Sequence, residues 1–141
     1  MILFSSWKME DVEDVLFKKY CYLCTTGVNI IYIKPMMKFV ITAYDGEGKL
    51  PQRMAVRTRH FEGMERMKEH VLCAGAMLDG EGKMKGSLLV MQFENREELD
   101  AYLAQEPYVV EHVWEKIEVE RMNVAVFDGE IIQKPATSAT S

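Results

Sequence analysis

Cysteine is scarce in this 141-residue chain, which contains only Cys21, Cys24 and Cys73. An odd, sparse set does not build the even disulfide framework of a small secreted protein. Cys21-Tyr22-Leu23-Cys24 fits the C-x-x-C pattern, but no second pair completes a zinc site and no thioredoxin-like strand and helix frame it, so no metal is expected. Basic charge is also short: 17 Lys and Arg stand against 22 Asp and Glu, a net charge of -5. Such a surface is poorly suited to neutralising phosphates and releasing counterions, which argues against nucleic acid as a partner. Long hydrophobic runs are missing too. The longest apolar stretch, residues 28–33, is too short to span a bilayer, and no charged start, apolar run and cleavage site combine into a signal peptide. The cytoplasm is therefore the expected compartment, with no membrane partner. Neither a Gly-rich phosphate loop nor H-E-x-x-H, G-x-S-x-G or a P-loop occurs, so no cofactor is expected and nucleotide, zinc-protease and serine-hydrolase readings have no support.

What is present is ordinary globular usage. Hydrophobic residues make up 48% and charged residues 28%, which is enough apolar material for a core and places the chain outside the disordered class. The length suits one domain. Residues 1–36 differ in character from the rest of the chain. Trp7, Met9, Val12, Val15 and Leu16 recur at helical spacing over residues 6–20, with Ser5 or Ser6 as cap, and residues 28–33 have strand character. Pro35 breaks this pattern, and Met36-Met37 open a new segment. Residues 1–36 are expected to be an amino-terminal extension, with Met36 or Met37 as the native start. A compact domain is expected over 37–127 and a flexible tail over 128–141, where Pro, Thr and Ser dominate the last residues.

Within the domain, residues 38–44 form a β-branched and aromatic run stopped by Asp45-Gly46-Glu47-Gly48, predicting a strand and a loop. Pro51 opens a predicted helix reaching about residue 70, with Met54, Phe61, Met64 and Met67 close to one apolar face. Residues 72–78 and 86–93 flank Asp79-Gly80-Glu81-Gly82 and predict a β-hairpin. Asn95 with Glu98 reads as a capping box for a second helix carrying Leu99, Tyr102 and Leu103, ended or kinked by Pro107. Ile117 and Val119 alternate with charge in a last strand that is extended here through Val124 to Val126. The order is β-α-β-β-α-β, an α+β ferredoxin-like arrangement in which an antiparallel sheet carries two helices on one face. The other face remains uncovered, so a homodimer is expected.

Several marks on these elements resemble the YciI-like, or YCII-related, family over roughly residues 37–122. They are Arg57-Thr58-Arg59-His60 on the first helix, Ala74-Gly75 on the next strand, Gly86-Ser87 at the third strand and Glu106-Pro107-Tyr108 after the second helix. The resemblance implies a ferredoxin-like dimer, of the dimeric α+β barrel type, with a His/Asp dyad in a pocket. Carried over by residue, it nominates His60 for proton transfer and Glu106 as its carboxylate partner. Glutamate stands where aspartate is commoner, so the carboxylate reaches one methylene further. Ala76 stands where many relatives have proline, and His112 where a glycine is often seen.

An imidazole titrates near neutrality and a carboxylate orients it, a pairing suited to general acid/base work. Arg57 or Arg59 can hold an anionic or carbonyl group, Arg59 being the more water-facing of the two. Ser87 and Tyr108 offer hydroxyls beside the dyad. Abstraction of a proton next to a carbonyl, isomerisation or elimination of a leaving group fit this set, and one branch of the family is a dehalogenase of a chlorinated lactone. Two readings stay open. One is a small dimeric acid/base enzyme of lyase, isomerase or dehalogenase type acting on a small-molecule ligand. The other is a non-catalytic dimeric ligand-binding or accessory domain in which the pair is structural. His70 and His112 have no motif partner and are assigned to the surface or an interface, and the methionines to packing.

Overall fold

The computed structural model describes residues 35–132. The helix at 6–20, the strand at 28–33, Cys21, Cys24 and the last residues of the tail fall outside them. The elements are β1 (Met37–Asp45), α1 (Leu50–Arg66), β2 (Val71–Leu78), β3 (Met84–Phe93), α2 (Arg96–Gln105), the one-turn α3 (Pro107–Val110) and β4 (Trp114–Met122). The strands pair antiparallel in the order β2-β3-β1-β4, the ferredoxin-like sheet.

Register sets which side chains are buried, because directly opposed residues share a face. Phe39, Ile41 and Ala43 lie opposite Met91, Leu89 and Ser87, and Ile41 and Ala43 lie opposite Val119 and Ile117 on the other side. This face meets Val56 of α1, Leu99 and Tyr102 of α2, Tyr108 of α3, and Val113 and Trp114 to make the core. The opposite face presents Val40, Thr42 and Val90, half-buried, with Tyr44 and Leu88 exposed. Gly86 is required where β3 meets β1, since a Cβ there would run into the carbonyl oxygen of Ala43.

Helix ends follow local chemistry. The Asn95 side chain accepts from Glu98 N–H at 2.9 Å, as a capping box demands, while the Glu98 carboxylate returns to Glu94 N–H at 3.1 Å. Helix α1 stops at Arg66, short of residue 70, in a series of turns closed by His70 N–H to the Met67 carbonyl. Its buried stripe differs in part from the apolar one expected: Met64 and Met67 pack partly buried against the core, but Arg53, Val56 and His60 point inward, whereas Met54 and Phe61 are about half exposed. The inward face carries polar side chains because each finds a buried partner, which apolar patterning cannot register.

Strand β4 ends at Met122 and does not continue through Val124 to Val126. Instead, Val126–Phe127 (β5) pairs with Glu130–Ile131 (β6) across Asp128 and Gly129, both at positive φ as a tight hairpin turn requires. That hairpin occupies part of the stretch assigned from sequence to a tail.

Candidate functional site

Pro107 organises the site. A residue preceding proline is pushed out of the helical region, and Glu106 has φ -63° and ψ 123°. Helix α2 therefore ends there, and Glu106 becomes the N-cap of α3, its side chain turned back to accept from Tyr108 N–H at 3.2 Å. The same Oε1 meets His60 Nδ1 at 2.6 Å, and Oε2 accepts from the Tyr102 hydroxyl at 2.9 Å. Glu106 is 1% exposed. A buried carboxylate is tolerated because three donors converge on it.

This geometry fixes the histidine tautomer. An ionised carboxylate only accepts, so Nδ1 carries the hydrogen and, in the neutral ring, Nε2 carries the lone pair. Only Nδ1 of the ring is hydrogen-bonded among the described residues. The imidazole is stacked on Tyr108, with ring centroids 4.3 Å apart and planes inclined by 24°.

A second buried set adjoins the first. Arg53 and His60 lie seven residues apart on α1, two turns along one face. Arg53 donates to Asp45 Oδ1 at 2.9 Å and to Ser87 Oγ at 2.8 Å, and its guanidinium lies 4.7 Å from the centroid of the Tyr108 ring. Burial pushes the Asp45 carboxyl up, against the opposing pull of Arg53. Burial likewise raises the Tyr108 hydroxyl above the ordinary 10.0, with Arg53 and Arg57 opposing, so it remains a donor at neutral pH. Tyr102 is pushed far higher by burial and by the adjacent Glu106 charge.

A cavity of about 270 Å³ opens between α1 and β2. Arg53, Arg57, His60, Ser87 and Tyr108 line it, and Ala74, Gly75 and Ala76 leave the room for it. The space is thus made by the small-residue strand that the sequence marks. Arg57 lies over the Phe61 ring at 4.7 Å and makes no ion pair among the described residues, so its charge is available to a ligand. A larger cavity of about 500 Å³ lies beside α2 and has Glu106, which does not line the smaller one, in its wall. The smaller one is the candidate active site, because the imidazole and both arginines meet there.

All five sequence-nominated residues, His60, Glu106, Arg57, Ser87 and Tyr108, converge at this place: four line the cavity, and Glu106 fixes the histidine orientation from behind. Arg59 does not join them; it is exposed and pairs with Glu111 at 2.9 Å. His112 sits at φ 55°, and His70 donates from Nδ1 to the Gln92 carbonyl at 2.8 Å and lines the larger cavity. Sequence reasoning missed Asp45, Arg53 and Tyr102. Arg53 was detectable from its helical spacing to Arg57 and His60, and Tyr102 from its place one turn before Glu106. Asp45 gave no signal, since it reads as part of a turn.

Among the described residues no helix is long and apolar enough to cross a membrane, and no cluster of His, Cys, Asp and Glu could hold a metal ion.

Among solved structures, the chain is similar to a 5-chloro-2-hydroxyhydroquinone dehydrochlorinase from Burkholderia phenoliruptrix in complex with 2,5-dihydroxybenzoquinone. That likeness has 25% identity and a TM-score of 0.59, covering 62% of this chain and 94% of the other. A putative antibiotic biosynthesis monooxygenase from Bacteriodes thetaiotaomicron is 12% identical with a TM-score of 0.46, covering 68% and 95%. A nipsnap family protein of unknown function from Agrobacterium tumefaciens is 14% identical with a TM-score of 0.41, covering 63% and 87%. No curated protein matches the chain. The family model of the YCII-related domain matches residues 37–123, more than half of the sequence, and the chain belongs to that family.

Proposed function

We propose that this protein is a small acid/base enzyme of lyase type, in which His60 removes a proton from a small, acidic, oxygenated ring. The observation that carries this reading is the 2.6 Å bond from His60 Nδ1 to a buried Glu106, with the imidazole in the wall of a cavity that also holds Arg57 and Tyr108. His60 Nε2 is the base. Glu106 is a positioning residue that holds the tautomer and offsets the imidazolium formed on proton transfer. Arg57 binds the anionic oxygen of the substrate, while Tyr108 donates its hydroxyl and Ser87 offers a second polar contact.

In the elimination from the keto tautomer of a chlorinated quinol, in which the chlorine-bearing carbon is sp3, the O–H bond para to the ring carbonyl breaks and its proton passes to Nε2. The O–H electron pair forms the new C=O, the ring double bond shifts onto the chlorine-bearing carbon, and chloride departs with the pair of the C–Cl bond. The cavity, about 270 Å³, lies near the lower end of ligand pockets and suits a single ring. The similar dehydrochlorinase acts on a chlorinated hydroxyhydroquinone, which supports testing halogenated and hydroxylated quinols first. We also propose a homodimer, built on the sheet face that leaves Tyr44 and Leu88 exposed. A monomeric mass by light scattering at micromolar concentration would contradict it.

A second reading has its own observation: Glu106 binds α1 through His60, α2 through Tyr102 and α3 through its cap, which is what a purely structural pair would do. The experiment that separates the two is halide release from chlorinated hydroxyhydroquinones by the native chain and by His60→Asn and Arg57→Gln. Turnover lost in folded His60→Asn, with a raised KM in Arg57→Gln, supports the enzyme. Absence of turnover across the panel, with ligand binding kept in His60→Asn, supports the binding domain.

A further inference from the structure

The larger cavity, about 500 Å³, is lined by residues of α1, α2 and β3 together with His70, and the proposed chemistry does not use it. Gly63 makes the room. In the helix interior it has no need of positive φ, and a Cβ built on it would meet only Arg66 Nη2, at 3.8 Å. The Arg66 guanidinium therefore folds back over Gly63 at the cavity wall. It makes no ion pair among the described residues.

Two further features give the cavity chemical character. His70, half-buried, presents its ring to the cavity, backed by the core residue Phe93 on which it stacks at 4.8 Å. The Gln92 carbonyl only accepts, so His70 Nδ1 carries the hydrogen and, in the neutral ring, Nε2 is an acceptor without a donor among the described residues. Glu98 also lines the cavity, with one carboxylate oxygen used by Glu94 N–H and the other able to accept. The wall thus offers one guanidinium for an anionic group, two acceptors for an O–H donor, and an aromatic surface.

We infer that this cavity is a second ligand site, for a small hydroxylated aromatic acid, and that its occupant is coupled to His60 through Tyr102 and Glu106. Tyr102 is the link, since its ring lines this cavity while its hydroxyl bonds Glu106 Oε2 at 2.9 Å, and Oε1 of the same carboxylate holds His60. A displacement of Tyr102 alters the donor set on Glu106 and hence the hydrogen bond that orients the imidazole. The site does not depend on the catalytic reading; it stands if His60 turns nothing over.

The probe is 4-hydroxybenzoate, titrated into the full-length protein and followed by NMR of the backbone and imidazole nitrogens. His70 and Tyr102 shift saturably, and the His60 Nδ1 proton moves with the same midpoint. Arg66→Gln weakens binding about tenfold, the loss expected for one charge-assisted contact. Benzoate, lacking the hydroxyl, binds less tightly. Gly63→Leu fills the cavity without a backbone clash and abolishes the shifts, and circular dichroism verifies that it folds. Tyr102→Phe keeps binding but removes the His60 response. Absent saturable shifts in the native chain, or shifts that survive both Arg66→Gln and Gly63→Leu, overturn the site. Shifts centred on Arg57, Ser87 and Tyr108 assign the probe to the other cavity and overturn it equally. Binding with no response at His60 overturns the coupling.

Discussion

His60 and Glu106 are 46 residues apart in sequence and meet at 2.6 Å through Nδ1 and Oε1. One comes from a helix face and the other from a corner imposed by proline. Because the carboxylate also receives Tyr102 O–H and Tyr108 N–H, the histidine is held by a carboxylate anchored from three sides, and its other nitrogen is left for the cavity.

The buried Arg53–Asp45 pair should be costly to break from one side. Arg53→Met leaves Asp45 buried without its cation, and we expect a loss of about 3–5 kcal/mol. The double variant with Asp45→Leu should recover much of it. Urea denaturation of the two single variants and the double variant provides the check.

His112 adopts φ 55° after α3, with Val113 N–H reaching the Tyr108 carbonyl and His112 N–H the Val109 carbonyl. This is a Schellman ending with histidine in the place glycine favours. His112→Gly should stabilise the fold by about 1 kcal/mol, read as a higher urea midpoint at unchanged slope.

Gly86→Ala should act in the opposite direction. The added methyl meets the Ala43 carbonyl and the end of Met77, and overpacking of this kind costs about 1–3 kcal/mol. Since Ser87 is the next residue, the strand shift should also weaken ligand binding at the cavity, measurable by calorimetry once a ligand is in hand.

Alkaline pH should destabilise the protein through its buried tyrosines. Tyr102 and Tyr108 are both raised above the ordinary 10.0, so in the window above that value they keep protons that the unfolded chain has lost. Their contribution is fully present below pH 10 and declines as pH rises, by about 1.4 kcal/mol per pH unit for Tyr102 and in the same direction for Tyr108. Tyr102→Phe should make the decline shallower by one such slope. A stability profile from pH 9 upward that is unchanged by the substitution would count against the assignment.

Much of the sheet was legible because its strands are short, β-branched and separated by glycine-rich turns, as around Asp79 to Gly82. His60 and Glu106 were nominated together only through the family resemblance carried by Arg57 to His60 and Glu106-Pro107-Tyr108, and the fold brings their side chains within hydrogen-bond distance. What stayed hidden was the inward face of α1. Met54 and Phe61 are apolar yet half exposed, while Arg53 and His60 are polar yet buried, an inversion that depends on partners contributed by β1, β3 and the α2 end. Periodicity reports apolar burial, and here burial tracks hydrogen bonding. Asp45 shows the same limit: only the fold brings it to Arg53.

The most direct test of the account is the tautomer of His60, read from long-range nitrogen–proton correlations of the imidazoles at neutral pH. In the neutral ring the geometry predicts a hydrogen fixed on Nδ1 and a bare Nε2, with that preference lost in Glu106→Gln. A neutral ring with its hydrogen on Nε2, or an exchanging tautomer mixture unchanged by Glu106→Gln, would contradict the claim that Glu106 orients His60 as a base toward the cavity.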